Sequence, residues 1–164
     1  MRNADRLIVA VLTLAGPAQA QEAYGFVARL GRDTTSIEWI VRTGNRVVSN
    51  LLEQSPRVLK RHWEATLAPD GTVQRWSMDM HVLNPLPGRP ALYTYDAKFG
   101  ADSVRTVTRS GDEVRTAAIR RDGTIAMPWD SFVYGAYELI FAAALKQPGE
   151  TVSSAPSWPC FPSR

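Results

Sequence analysis

The chain has 164 residues, 45% of them hydrophobic, and carries 19 Lys+Arg against 16 Asp+Glu for a formal charge of +3. That size suits one domain with a core of its own. The basic residues are scattered rather than interleaved with aromatics, which argues against a nucleic-acid surface, and the single cysteine, Cys160, excludes an internal disulfide and a thiolate metal cluster.

The chain opens MRNADRLIVAVLTLAGPAQA. Arg2 and Arg6 form a short basic segment, Leu7 to Ala15 an apolar run, and Ala18-Gln19-Ala20 a site of the kind a signal peptidase reads. The run is shorter than the roughly 20 residues a bilayer span needs. Residues 1–20 are therefore expected to be a signal peptide, with a periplasmic or secreted product starting near Gln21. No Cys follows the cleavage site, so a lipid anchor is not indicated.

From Ala23 onward, strand-like runs alternate with turn signals every eight to twelve residues. In AYGFVARL (23–30) the alternation places Tyr24, Phe26, Ala28 and Leu30 on one face. In TTSIEWIVRT (34–43) it sets Ile37, Trp39 and Val41 against Ser36, Glu38 and Arg42, with the first set expected to be buried. Further strands are expected at 46–53, 57–67, 72–83, 91–99, 102–109, 113–120 and 124–128. Asp70-Gly71 and Asp122-Gly123 are the strongest hairpin turns. No βαβ rhythm is present. The expected body is an antiparallel meander.

The period then changes. DSFVYGAYELIFAAALKQPG (130–149) offers Asp130 or Ser131 as an N-cap, Lys146 in the last turn and Pro148-Gly149 as a stop, which predicts a helix over 131–146. Between Phe132 and Leu145 only Glu138 is charged, so the helix is expected to lie buried on the concave face of the sheet. Gly135 would let it approach a strand closely. The alternative is a helix that binds a partner or a membrane surface. The last stretch, 150–164, has no periodicity. It is expected to be a disordered or artefactual tail, and its change of composition also fits a truncated or frame-shifted reading frame.

The segment RHWEATLAPDGTVQRWSMDMH (61–81) concentrates two histidines, two tryptophans and two methionines around one turn. Pairing its strands places Leu59, Trp63, Ala65 and Leu67 against Trp76, Met78, Met80 and Val82, a core face. The other face carries Lys60, His62, Glu64 and Thr66 against Arg75, Ser77, Asp79 and His81. In the tighter register His62 lies opposite Asp79, Glu64 opposite Ser77 and Lys60 opposite His81. His62, Asp79 and His81 are ligand types that a divalent ion accepts. Alternating charge on a wet sheet face explains them without a metal, Lys60 and Arg75 would oppose a cation, and no HExxH-like spacing is present. The expectation is a hairpin with one wet face, no metal and no cofactor. No GxSxG, SxxK, GxxxxGK[ST] or GxGxxG motif occurs, so no enzymatic role is expected. Tyr93 and Tyr95 share a strand face and read as core rather than as a ligand groove.

The stretch GFVARLGRDTTSIEWIVRTGNRVVSNLLEQSPRVLKRHWEATLAPDGTVQRW (25–76) resembles the opening of a group of exported bacterial proteins of unknown function. The layout to about residue 147 is similar to DUF3108-like and other half-barrel periplasmic proteins, in which a curved antiparallel sheet wraps a helix. The resemblance lies in turns and strand residues, so it carries over no functional residue. The chain departs from the pattern by ending where a complete barrel would continue. Some half-barrel folds carry acyl chains, and the resemblance thus implies a binding module.

The sequence reading is a mainly β (α+β) fold: residues 21–149 as one antiparallel domain, a curved sheet or half-barrel with one C-terminal apolar helix. The first functional expectation is an exported carrier of an apolar or lipid-like ligand, its pocket lined by Phe26, Trp39, Trp63, Trp76, Met78, Tyr137 and Phe141. The alternative is a structural or assembly protein of the cell envelope that docks a protein partner through sheet edges or the helix. No nucleic acid and no transmembrane segment after leader cleavage are expected.

Overall fold

Period-two alternation over eight successive runs builds one antiparallel sheet. The computed structural model describes residues 20–54, 57–121, 125–129, 133–146 and 152–156. The expected leader, the Asp122-Gly123 turn, the caps Asp130 and Ser131, the Pro148-Gly149 stop and Cys160 lie outside the described residues. The strands are β1 (Gln21–Leu30), β2 (Asp33–Thr43), β3 (Arg46–Glu53), β4 (Leu59–Leu67), β5 (Val73–Val82), β6 (Leu92–Phe99), β7 (Ser103–Ser110) and β8 (Glu113–Arg120). They neighbour one another in chain order, β1 to β8, in one open sheet. A helix, α1 (Tyr134–Lys146), packs on its inner face. The chain is mainly β, and the layout is that of a curved antiparallel sheet with a single C-terminal helix.

Two short strands form a separate pair. β9 (Ile125–Trp129) and β10 (Val152–Pro156) run parallel to each other. Part of the segment expected to be an irregular tail is thus ordered, because β9 supplies backbone partners that the tail's own sequence does not announce. β9 lies beside β5 and α1.

The core is the layer between the inner sheet face and the helix. Trp63, Trp76, Met78, Tyr95, Ala97 and Val104 bury from the sheet, and Val133, Ala136, Leu139 and Ala143 meet them from the helical segment. Trp63 and Trp76 stack with ring centroids 4.4 Å apart. Burying side chains of this size contributes about 2–3 kcal/mol each before chain entropy is subtracted.

The helix begins at Tyr134, three residues later than 131, and only one of its faces is buried. Phe141 is 65% exposed and Leu145 more so. The expectation of a helix enclosed all round is therefore corrected: a single sheet covers only the stripe Gly135, Ala136, Leu139 and Ala143. At Gly135 a Cβ would stand 2.6 Å from both Ile40 Cδ1 and Trp63 Cζ2, so a glycine there permits the contact. At the other end, Lys146 lies against Gly71 in the β4–β5 turn, where φ is +89°. The helix therefore runs from β2 across to that turn. Among the described residues no helix is long and apolar enough to cross a membrane.

The predicted faces hold on β1, β4 and β5 but invert on β2. Ser36, Glu38 and Ile40 point inward, and Trp39 is 57% exposed. The cause is one residue. Leu30 opposes Asp33 and Arg29 opposes Thr34, but Ala28 opposes Ser36, so Thr35 is an extra residue in β2. Its hydroxyl donates to the Ala28 carbonyl at 3.3 Å. A one-residue bulge shifts the register and turns every later side chain to the opposite face.

Candidate functional site

The inversion of β2 delivers Glu38 to the centre of the core. Its side chain is fully buried. Trp63 Nε1 on β4 and Ser49 Oγ on β3 each donate to Oε1 at 2.8 Å, and the Gly135 backbone N–H donates to Oε2 at 3.0 Å. The first N–H groups of a helix lack partners within it. Val133, which precedes Tyr134, has no side-chain acceptor to cap them. Glu38 supplies that acceptor from the sheet, where the positive end of the helix dipole favours an acidic group.

On the same face, Glu53 of the neighbouring β3 and Arg61 of β4 form a buried ion pair, Nη2 to Oε2 at 3.3 Å, with side chains 3% and 6% exposed. Ser36, opposite Glu53 across the β2–β3 ladder, also reaches the Tyr134 hydroxyl at 3.4 Å. Tyr24 hydrogen-bonds Glu138 on the helix, and burial first, then that bond, pushes its phenol well above the usual range. The inner face thus carries a polar band, Ser36, Glu38, Ser49, Glu53 and Arg61, around the entry of the helix. Its groups point at one another, and its chemistry is that of attachment.

The outer face holds the expected wet hairpin. His62 opposes Asp79, Glu64 opposes Ser77 and Lys60 opposes His81. His62 is nonetheless held by other groups: Nδ1 lies 3.0 Å from Asn50 Oδ1 and Nε2 3.3 Å from Glu64 Oε1. Arg46 donates to the same Glu64 oxygen at 2.6 Å and holds that carboxyl below the usual carboxylate range. Among the described residues no three His, Cys, Asp or Glu side chains converge as a metal site requires.

The residues expected to line an apolar pocket fall in three places. Trp63, Trp76 and Met78 are fully buried, and Phe26 packs partly buried against them. Tyr137 is half-buried on α1. Trp39 and Phe141 face away from this core, Trp39 because of the bulge and Phe141 because the sheet covers only the opposite stripe of the helix. The structure does not bring the seven together. Glu38, Glu53 and Arg61 were missed, since a charged residue on an alternating strand reads as solvated unless its register is known.

β8 is one edge of the sheet and differs in burial from the other seven strands of that sheet. All eight of its residues are exposed, and it pairs only with β7. Val114 and Ile119 are its large apolar side chains, 56% and 39% exposed. Their odd spacing puts them on opposite faces.

Comparison with protein-family models, with curated proteins and with solved structures finds no match.

Proposed function

We propose that the protein is a non-catalytic docking module whose β8 edge accepts an extended segment of a partner polypeptide. The observation that carries this reading is the exposure of β8 along its whole length, with one backbone edge unpaired among the described residues. An edge of eight residues is a template for strand addition, and native proteins normally shorten or cover such edges. Glu113, Arg115 and Arg120 then act as selectors, because a partner strand must match their charges. Together with the leader expected at 1–20, the proposal puts this docking in the periplasm or outside the cell.

An apolar-ligand carrier is the weaker reading. Trp63 and Ile40 fill the space at Gly135 that a ligand would have to open. The test is photocrosslinking of the full chain, with the probe at Ala118 on β8 and, as control, at Lys60 on the outer face. A discrete polypeptide adduct from 118 alone supports docking. Backbone N–H groups alternate in direction along an edge strand, so proline at either Thr116 or Ala117, whichever N–H points away from β7, should abolish the adduct. No adduct, with native mass spectrometry showing a bound apolar small molecule, would overturn docking in favour of the carrier.

A further inference from the structure

The turn joining β6 to β7 is closed by the Gly100 N–H donating to the Ser103 carbonyl at 2.9 Å. Around it lies a cleft of about 280 Å³, lined by Lys98, Phe99, Asp102, Ser103 and Arg105 among others. Lys98 and Arg105 occupy directly opposed positions in the ladder, and Arg75 lies opposite Lys98 on its other side. Three cations thus share one row on one face. Like charges directly opposed destabilise strand pairing.

Arg75 finds relief in Asp96 at 3.2 Å. Neither Lys98 nor Arg105 enters an ion pair among the described residues. Nearby, Arg120 stands opposite Ser103, and Arg121 Nη1 donates to the Gly100 carbonyl at 2.6 Å. Asp102 is the only acid in the lining. A repulsive pair beside a cleft whose lining sets one acid against two cations favours an anion there.

We propose that the β6–β7 cleft binds a phosphoryl group held by Lys98 and Arg105. Lys supplies a point charge and Arg a planar fork of donors, which together suit a dianion better than a single carboxylate. The Ser103 hydroxyl adds a short donor. The volume lies at the small end of ligand sites, so it fits a headgroup rather than a large apolar body. The group could belong to a soluble phosphate ester or to a phospholipid, and the chemistry is shared.

The test titrates inorganic phosphate into the full chain at constant ionic strength and follows the backbone amides by NMR. Saturable shifts confined to residues 98–105 and 120–121 are expected, and acetate should not reproduce them. Lys98→Gln with Arg105→Gln should weaken phosphate binding by about tenfold or more, as expected for loss of two charge-assisted contacts. The same double variant should raise the urea midpoint in the absence of phosphate, since it removes the repulsion. Shifts that fail to saturate, or that acetate matches, would overturn the proposal, as would a double variant that binds unchanged. Phosphatidylglycerol vesicles then identify the source. Cosedimentation that depends on Lys98 and Arg105 assigns the site to lipid headgroups, and phosphate binding without cosedimentation assigns it to soluble esters.

Discussion

Trp63 on β4 donates its indole N–H to Glu38 on β2 at 2.8 Å, and the same carboxyl group receives the Gly135 N–H at the start of the helix. Helix and sheet are therefore fastened by a polar contact inside an apolar layer. Replacing Glu38 by Leu would leave the Trp63, Ser49 and Gly135 donors buried without an acceptor, each at about 1–3 kcal/mol. The expected loss is about 4 kcal/mol, read as a lower urea midpoint. A loss below about 1 kcal/mol would show that water or another group takes over. Glu38→Gln should separate the contacts, because its carbonyl can still serve Trp63 and Ser49 while its amide faces the Gly135 N–H. Faster hydrogen exchange at Gly135, with the sheet amides unchanged, is the expected signature.

Gly135→Ala tests the packing beside that contact. Alanine favours a helix interior over glycine by about 1 kcal/mol. Here the new Cβ would stand 2.6 Å from Ile40 Cδ1 and Trp63 Cζ2, and overpacking of this kind typically costs about 1–3 kcal/mol. Net destabilisation is expected. Ile40→Val removes one of the two obstructing atoms, so the double variant should be less destabilised than the sum of its parts. Simple additivity would mean that the helix shifts as a body instead.

The boundaries of the sheet were legible because turn residues and alternation are local signals. The His62–Asp79 and Glu64–Ser77 pairings match the tighter of the two registers that the sequence left open. What failed was anything that depended on a register defect. The extra residue at Thr35 has no sequence mark, yet it sends Trp39 outward and Glu38 inward. Arg61 was passed over between Leu59 and Trp63, since its burial depends on Glu53 at the end of the preceding strand. The apolar helix was read as enclosed because composition reports how much could be buried, and only the number of layers decides how much is.

Alkaline pH should destabilise the fold through Tyr24. Its phenol is held protonated by burial and then by the bond to Glu138, so its folded value lies above the ordinary value of 10.0. A group raised in this way contributes its full stability below the unfolded value and loses it as pH rises beyond. The urea midpoint should therefore fall above about pH 10. Tyr24→Phe should flatten that fall while lowering stability at neutral pH. An unchanged alkaline slope in the variant would remove Tyr24 as its origin.

Glu64 acts on the acid side. Its bond to Arg46, opposed by some burial and assisted by His62, depresses its carboxyl. Such a group contributes above its unfolded value and loses that contribution as pH falls through the folded one. Arg46→Gln should bring the Glu64 carboxyl back toward the ordinary range in a carbon-detected NMR titration. A titration that does not move would mean that the pair seen at 2.6 Å is not kept in solution.

The Glu53–Arg61 pair separates stability from specificity. Both side chains are almost fully buried, and removing two charges from water offsets most of their attraction. Arg61→Met alone strands a carboxyl group in the core and should cost about 3–5 kcal/mol. Adding Glu53→Leu removes the stranded group, and the double variant should recover most of that loss, because apolar side chains of similar volume can replace a buried pair at little net cost. The pair's contribution would then lie in register. Glu53 on β3 and Arg61 on β4 are not directly opposed: Glu53 faces Leu59, and Arg61 faces Leu51. The ion pair therefore joins diagonal neighbours, and slipping the two strands by two residues in the direction that separates Glu53 from Arg61 would break it while leaving the inner and outer faces intact. If that is its role, the double variant should keep its urea midpoint but show a second set of β3 and β4 amide resonances. A single set of resonances would mean that the bulges and turns already define the register without it.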